Sequence, residues 1–577
     1  MSSERSFLSK PEFGYDFVVG VTQASINATL LTYLSNVSQP LIEMCYVADE
    51  DGNAKEIELS KLLERTGGVN PFTAPIPDTG FLDDPNFQKL LEGEFLMGFR
   101  ARMGVPAVPD PSKLPDMVVL QGDAASVKFR LMCSEFTVAT VIPALNPKKT
   151  KWVRTSQDPT SPWLFGTSVD LRMSDVPDTA YGKLPKDVQK VIKNMSGTAF
   201  TIQQLLLDLT NARLASTLDI EGIPPESEIY AKLSGYFVKK YFENAQKKGD
   251  PILGCTVVPR TAPKSTLTLT DFDFAVTPFI DPATQAPKNP ATDEEKQLNT
   301  LNYLCAADGH KLPRAGRLAW NWVSPAQASS HHGCVSINRD RIVDWLDKLL
   351  ADTAQRHCMR PKVYARHFDG NITRLHVDVE LHDNQPPQVI NRPAGGTKTD
   401  PEGLALEYSY RGWSDDDDQA GKAELETRYR MTVCLKGTSI VVQQNIWVWY
   451  YAKAGAGDNH DVVVDDLLTC KYPIGIANDG KLVVGNAETT LDKRARPNSR
   501  SGIVNAFTNI NKITDEIIRQ VHALDSIELK QIPLSSMQNY VFPGGKAFVF
   551  KNAKFSDFGD LVSDITYADP GVIVDED

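Results

Sequence analysis

The histidines and carboxylates of this chain are where chemistry would first be sought. Nine histidines include the pair His331-His332 and the spaced group His367, His376 and His382, where a separation of six puts the last two on one side of a strand. Such imidazoles could bind a metal, but no Cys or carboxylate completes a recognisable ligand spacing, so exposed strand histidines are the plainer reading. The run Asp415-Asp416-Asp417-Asp418 offers hard carboxylate oxygens yet lacks the spaced ligands and internal glycine of an EF-hand loop, and it reads as a solvated hairpin tip. Gly455-Ala456-Gly457-Asp458-Asn459 has the glycines of a phosphate-cradling loop but lies between strand-like runs, which makes it a hairpin. The nucleophile elbow, zinc-protease helix, Walker loop and dinucleotide fingerprint are absent as patterns. No residue is therefore assigned to catalysis, a metal or a cofactor, and an enzyme is the weaker expectation. A cyclase or hydrolase acting on a hydrophobic small molecule with groups gathered from distant segments would leave no pattern to find. In the aromatic block, Trp447, Trp449 and Tyr451 share a face opposite Val448 and Tyr450. Aromatics so arranged could stack on bases or sugars, but both faces look apolar, and the block is expected to be buried on both sides.

With no reaction declared, the elements carry the argument. Near the N-terminus, Tyr15, Val18, Val19, Thr22, Ile26, Leu30, Tyr33, Leu34 and Val37 recur at helical spacing, and near the C-terminus so do Ile503, Phe507, Ile510, Ile513, Ile517, Val521 and Leu524. At about 1.5 Å per residue, each predicted amphipathic helix runs for roughly 35 Å. A long helix laid along a curved antiparallel sheet can enclose an apolar groove, because neither element covers its own apolar face alone. Val19, Ile26, Leu30, Ile503, Phe507, Ile510, Ile513 and Ile517 are thus the candidate residues for a lipid or another apolar small molecule, as groove lining or as packed core.

The bulk numbers fit a container. The chain has 577 residues, 41% apolar and 23% charged, as in soluble globular proteins, and its length suggests two to four domains. Lys plus Arg number 61 against 73 Asp plus Glu, and a net charge of −12 disfavours a nucleic-acid partner. Met1-Ser-Ser-Glu-Arg-Ser lacks a basic segment followed by an apolar run, and no apolar stretch is long enough for a transmembrane segment. A cytoplasmic protein, or one released without a cleavable signal, is expected. The eight isolated cysteines read as buried thiols in a reducing compartment.

Along the chain, a turn is expected at Asp49-Glu50-Asp51-Gly52-Asn53 and mostly irregular structure from Gly67 to Asp110. A strand follows through Val127, Phe129, Leu131 and Cys133, whose alternation changes phase near Ser134-Glu135 and so implies a bulge or turn. Helices are expected over Lys186–Met195, Thr201–Leu214, Glu226–Lys248 and Arg339–Ala351. Strands are expected over Ile252–Val258, Ser265–Ile280 and Val363–Leu381, with a hairpin-rich block from Leu404 to Tyr451. The Pro- and Asp-rich stretch from Asp281 to Asp293 places a domain boundary near 290, giving domains 1–290 and 291–577, unless terminal helices and strands are shared between interlocked domains.

Three segments resemble a known family. They are Gly14-Tyr15-Asp16-Phe17-Val18-Val19-Gly20 leading into Ile26-Asn27, then Gln297-Leu298-Asn299-Thr300-Leu301-Asn302-Tyr303-Leu304-Cys305 with Trp320-Asn321-Trp322-Val323, and finally Phe542-Pro543-Gly544-Gly545-Lys546-Ala547-Phe548-Val549-Phe550. Together they resemble the TULIP-type OrfX and forty-seven-kilodalton proteins encoded beside clostridial neurotoxins, and their bacterial and fungal relatives. Tyr15 stands where that family commonly has Trp. The resemblance implies an α+β fold of elongated modules, with highly curved antiparallel sheets wrapped around long amphipathic helices. It also implies apolar ligands, a toxin-associated or host-interaction role, and protein partners encoded by neighbouring genes. A structural subunit with filled grooves, acting through its surface, is the blander alternative.

Overall fold

A computed structural model describes residues 3–36, 41–78, 81–108, 114–120, 126–146, 150–158, 161–176, 200–208, 219–237, 252–259, 269–368, 372–381, 388–391, 403–418, 421–454, 457–476, 482–495, 540–541 and 548–567. Within them the chain is mostly antiparallel sheet with few helices, in keeping with an α+β class.

The central sheet has six antiparallel strands, in the order 269–277, 300–307, 17–22, 333–337, 561–567 and 548–555. Its middle strand, Phe17–Thr22, is where the sequence pattern misleads. Helical spacing predicts a helix from Tyr15 onward, but the helix begins only at Gln23 and ends at Asn36. Val18, Val19 and Val21 favour an extended backbone, and all six strand residues are buried, so the two-residue alternation that marks a half-exposed strand is missing. One face carries Phe17, Val19 and Val21 into the main apolar core. Val18 faces a second cluster with Leu304, Trp320, Trp322 and Cys334. Gly20 is required here: a Cβ would lie 2.2 Å from Trp322 Cδ1. The indole fills that space and donates from Nε1 to Asn302 Oδ1 at 2.6 Å, while Asn302 Nδ2 donates to Thr277 Oγ1 at 2.9 Å.

The N-terminal sheet runs in the order 540–541, 252–259, 200–208, 164–176, 126–142, 95–103, 41–48 and 54–57, with three short strands attached. The bulge expected near Ser134 is present, since Arg102 pairs with Glu135 and Met103 with Cys133. The turn at 49–53 is also present, with Gly52 at a φ of 82°. Phe200–Asp208 is a strand, not the helix expected over Thr201–Leu214. Phe95–Met103 and the helix Pro85–Glu92 stand where irregular chain was expected. That helix had a legible signal in Asp84, which caps Phe87 N, followed by Pro85 at the first turn. Leu62, Phe87, Leu90 and Trp152 form a satellite cluster on this side of the sheet.

The C-terminal sheet runs in the order 388–391, 404–418, 421–436, 439–454, 457–476 and 482–484, and 488–493 also pairs with 457–476. The helix Arg339–Arg356 and the hairpin of 359–368 with 372–381 pack against it. Tyr408 Oη bonds Asp347, Ala365 N donates to Asp416 Oδ2 at 2.7 Å, and Thr427 Oγ1 bonds the Met359 carbonyl. Strands from near both ends of the chain thus meet in the central sheet, and 540–541 pairs with 255–256 in the N-terminal sheet. Cys45, Cys133, Cys334, Cys358 and Cys470 are buried thiols, and burial pushes Cys45 and Cys358 up to about 12. Among the described residues no helix is long and apolar enough to cross a membrane.

Candidate apolar ligand site

Ile26 and Leu30 stand four residues apart on the helix Gln23–Asn36, so they project from one face. Val19, Ile26 and Leu30 are 0, 2 and 8% exposed, and all three belong to the main apolar core. Ile503, Phe507, Ile510, Ile513 and Ile517, with the whole second expected helix, lie outside the described residues, as does the helix expected over Lys186–Met195.

What fixes the first helix is polar. Asn27 uses its amide as a strand would use its backbone, donating from Nδ2 to the Val118 carbonyl at 2.8 Å while Oδ1 accepts from Val118 N at 2.9 Å. Gln23 Oε1 accepts from Leu120 N at 2.7 Å, and Asn299 Nδ2 donates to the Leu120 carbonyl at 2.9 Å. Gln23 and Gln297 both donate to Asp116 Oδ2, at 2.8 and 2.6 Å. Two of the segments singled out in the sequence therefore converge on 116–120 and hold the short strand Val118–Leu120 against the helix. Asn321 repeats the device, bonding both the N–H and the carbonyl of Ile280. Each buried donor or acceptor left unpaired would cost about 1–3 kcal/mol, so these amides lock the helix in position.

Beneath this junction the N-terminal sheet carries an aromatic interior that the sequence reading missed. Phe136 contacts Trp163, Phe165 and Phe237 at centroid separations of 5.2, 5.2 and 4.6 Å, and Phe99 packs on Tyr46 and Phe237. A single π-helical turn, Leu233–Phe237, buries its first and last residues in this interior and leaves Tyr236 40% exposed against Tyr46. Such turns are rare and frequent at functional sites. At its start, half-buried Lys232 donates to Thr140 Oγ1 and the Val141 carbonyl, and burial pushes its ammonium below the ordinary value while Glu228 pulls it back. Of the helix expected over Glu226–Lys248, the described residues show Glu228–Lys232 and this turn, and 238–248 lie outside them.

No family model and no curated protein matches the chain. Solved structures do, three of them as follows. P47 of Clostridium botulinum E1 is similar at 12% identity and a TM-score of 0.42, over 96% of this chain and 98% of its own. P47 from Clostridium botulinum A2 is similar at 8% identity and a TM-score of 0.43, over 96% and 99%. A lipopolysaccharide binding protein is similar at 8% identity and a TM-score of 0.24, over 96% and 99%. Two of the three are P47 structures, the kind of protein the sequence resembles.

The remaining candidates are plainer. His376 stacks on Tyr364 in the 359–381 hairpin and His367 pairs with Thr373, while His382 lies outside the described residues. Asp415 and Asp417 are exposed near a hairpin end, as expected. Among the described residues no group of three or more His, Cys, Asp or Glu side chains is placed to hold a metal ion. His331 Nε2 stands 3.2 Å from Asp564, whose carboxyl burial pushes up and His331 pulls down.

Proposed function

We propose that this chain binds a lipid or another apolar small molecule without chemistry, in an apolar interior bounded by the helix Gln23–Asn36 and the N-terminal sheet, with Ile503, Phe507, Ile510, Ile513 and Ile517 as the further ligand-contacting residues that the sequence suggests. The supporting observation is the aromatic interior around Phe136, closed on one side by a short turn whose Tyr236 already reaches solvent. Apolar ligand surface removed from water gains roughly 25 cal/mol per Å², so an acyl chain taken into this interior would need few polar contacts. The same reading takes the chain as two modules, 1–290 and 291–577, interlocked through strands that they share. It acts as a component of a toxin-associated or host-interaction complex with products of neighbouring genes.

Uptake of a fluorescent fatty acid and a fluorescent phospholipid tests the reading. Saturable uptake by the wild type is expected, with loss in Ile513→Trp or Phe237→Ala. Ile513→Trp should keep its melting temperature nearly unchanged if Ile513 lines a groove. No uptake, or uptake indifferent to both substitutions, sinks it.

A further inference from the structure

The outer face of the C-terminal sheet carries the aromatic block that the sequence assigned to the interior. Val448 and Tyr450 are buried, but Trp447, Trp449 and Tyr451 are partly exposed, and Trp413 is 47% exposed. The strand register lines them up. Trp413 stands opposite Glu426, which stands opposite Trp449; one row along, Arg411 faces Arg428, which faces Trp447.

The two indoles of the first row lie with centroids 6.0 Å apart and planes only 19° off parallel. Trp413 Nε1 donates to Asp415 Oδ1 at 3.2 Å, which helps hold that ring. Between the indoles sits buried Glu426, whose Oε1 accepts from Arg411 Nε and Arg428 Nε, each at 2.6 Å. Burial pushes this carboxyl up, but the two arginines outweigh it and hold the group below its ordinary value, so it is ionised. The Arg428 guanidinium also lies 4.2 Å over the Trp447 ring. Arg430 pairs with Glu407 at 2.7 Å. The result is a partly exposed face on which a stacked indole pair and a third indole lie beside guanidinium groups ion-paired to Glu426.

We infer that this face binds a neutral carbohydrate chain. Its chemistry selects among ligands. A lipid tail or an apolar helix would desolvate the exposed guanidinium groups of Arg411 and Arg428 against hydrocarbon, which is costly. A phosphate-rich ligand needs uncompensated positive charge, and here the three arginines are matched by Glu426 and Glu407, with Asp415, Glu424 and Asp465 nearby in the register. A pyranose offers the complement: an apolar C–H face for an indole and equatorial hydroxyls for the exposed guanidinium groups that buried Glu426 holds. The face is independent of the apolar interior, so either proposal can fail without the other.

The test is saturation-transfer NMR and tryptophan-fluorescence titration of the full chain with cellohexaose, maltohexaose, mannohexaose and chitohexaose, and with a heparin hexasaccharide as the charged comparison. At least one neutral hexasaccharide is expected to bind saturably, and Trp413→Ala, at an exposed position, should weaken it about tenfold with the melting temperature unchanged. Arg411→Ala should weaken it as well, while Tyr364→Ala, an exposed aromatic outside this sheet, should not. Binding of heparin alone, no saturable signal from any neutral sugar, or neutral-sugar binding untouched by Trp413→Ala overturns the inference.

Discussion

The central sheet and the C-terminal sheet are both antiparallel, yet they use their two faces differently. In the central sheet every residue of Phe17–Thr22 is buried, one face in the main core and the other beneath Trp320 and Trp322. In the C-terminal sheet one face is core and the other presents aromatics and ion pairs to solvent. The first arrangement tolerates almost no change of shape, because each side chain is gripped from both sides. The second leaves a face whose side chains can be altered while the inner face keeps the fold.

The contrast can be broken by substitution. Gly20→Val should have the largest effect: its Cβ alone would lie 2.2 Å from Trp322 Cδ1 and 2.9 Å from Asn302 Oδ1, beyond the about 1–3 kcal/mol that ordinary overpacking costs. Little soluble folded protein is expected on expression, and a normal yield with a normal melting temperature would refute the packing described. Ile26→Ala removes a 2% exposed side chain and should cost about 2–5 kcal/mol in chemical denaturation.

A third prediction concerns pH. Asp560 is fully buried, accepting from Leu8 N at 2.7 Å, Arg339 N at 3.0 Å and Ser6 Oγ at 2.9 Å, and so joins the N-terminal segment, the C-terminal strands and the helix Arg339–Arg356. Burial raises its carboxyl from an ordinary 3.8 to about 6 against the pull of those donors. The folded state therefore holds this proton more tightly than the unfolded one. Its contribution to stability is complete below about pH 4 and is lost as pH rises through about 6, a change of about 3 kcal/mol. Denaturant midpoints across that window should lose this component of their slope in Asp560→Asn, and an identical profile would remove Asp560 as its source. Trp413→Ala should have the smallest effect, within about 0.5 kcal/mol of wild type by thermal denaturation, since the ring is half in solvent.

How far the sequence could be read follows the same division. Where one face meets water, period and punctuation speak: the hairpins of 404–454, the bulge at Ser134, the turn at Gly52 and the helix capped by Asn338 were all legible. Where both faces are covered, the apolar run of Phe17–Thr22 matched a helical spacing by accident, and its continuity with the true helix at Gln23 disguised the junction. The aromatic strand at 439–454 erred the other way. Its Trp and Tyr residues look like core by composition, and only the pairing with Glu426 and Arg428 shows that one row is the outer face. For the ligand site, Val19, Ile26 and Leu30 were visible because they are apolar and spaced, whereas Phe136, Phe165 and Phe237 are joined only by the sheet that folds them together.

The most direct test of apolar-ligand binding is mass spectrometry of an organic extract of the purified full-length chain, set beside native mass spectrometry of the same sample. The account predicts a fatty acid or phospholipid present in stoichiometric amount and carried as a defined mass increment on the folded protein. Repeatedly empty extracts, together with a native mass equal to that of the polypeptide alone, would contradict it.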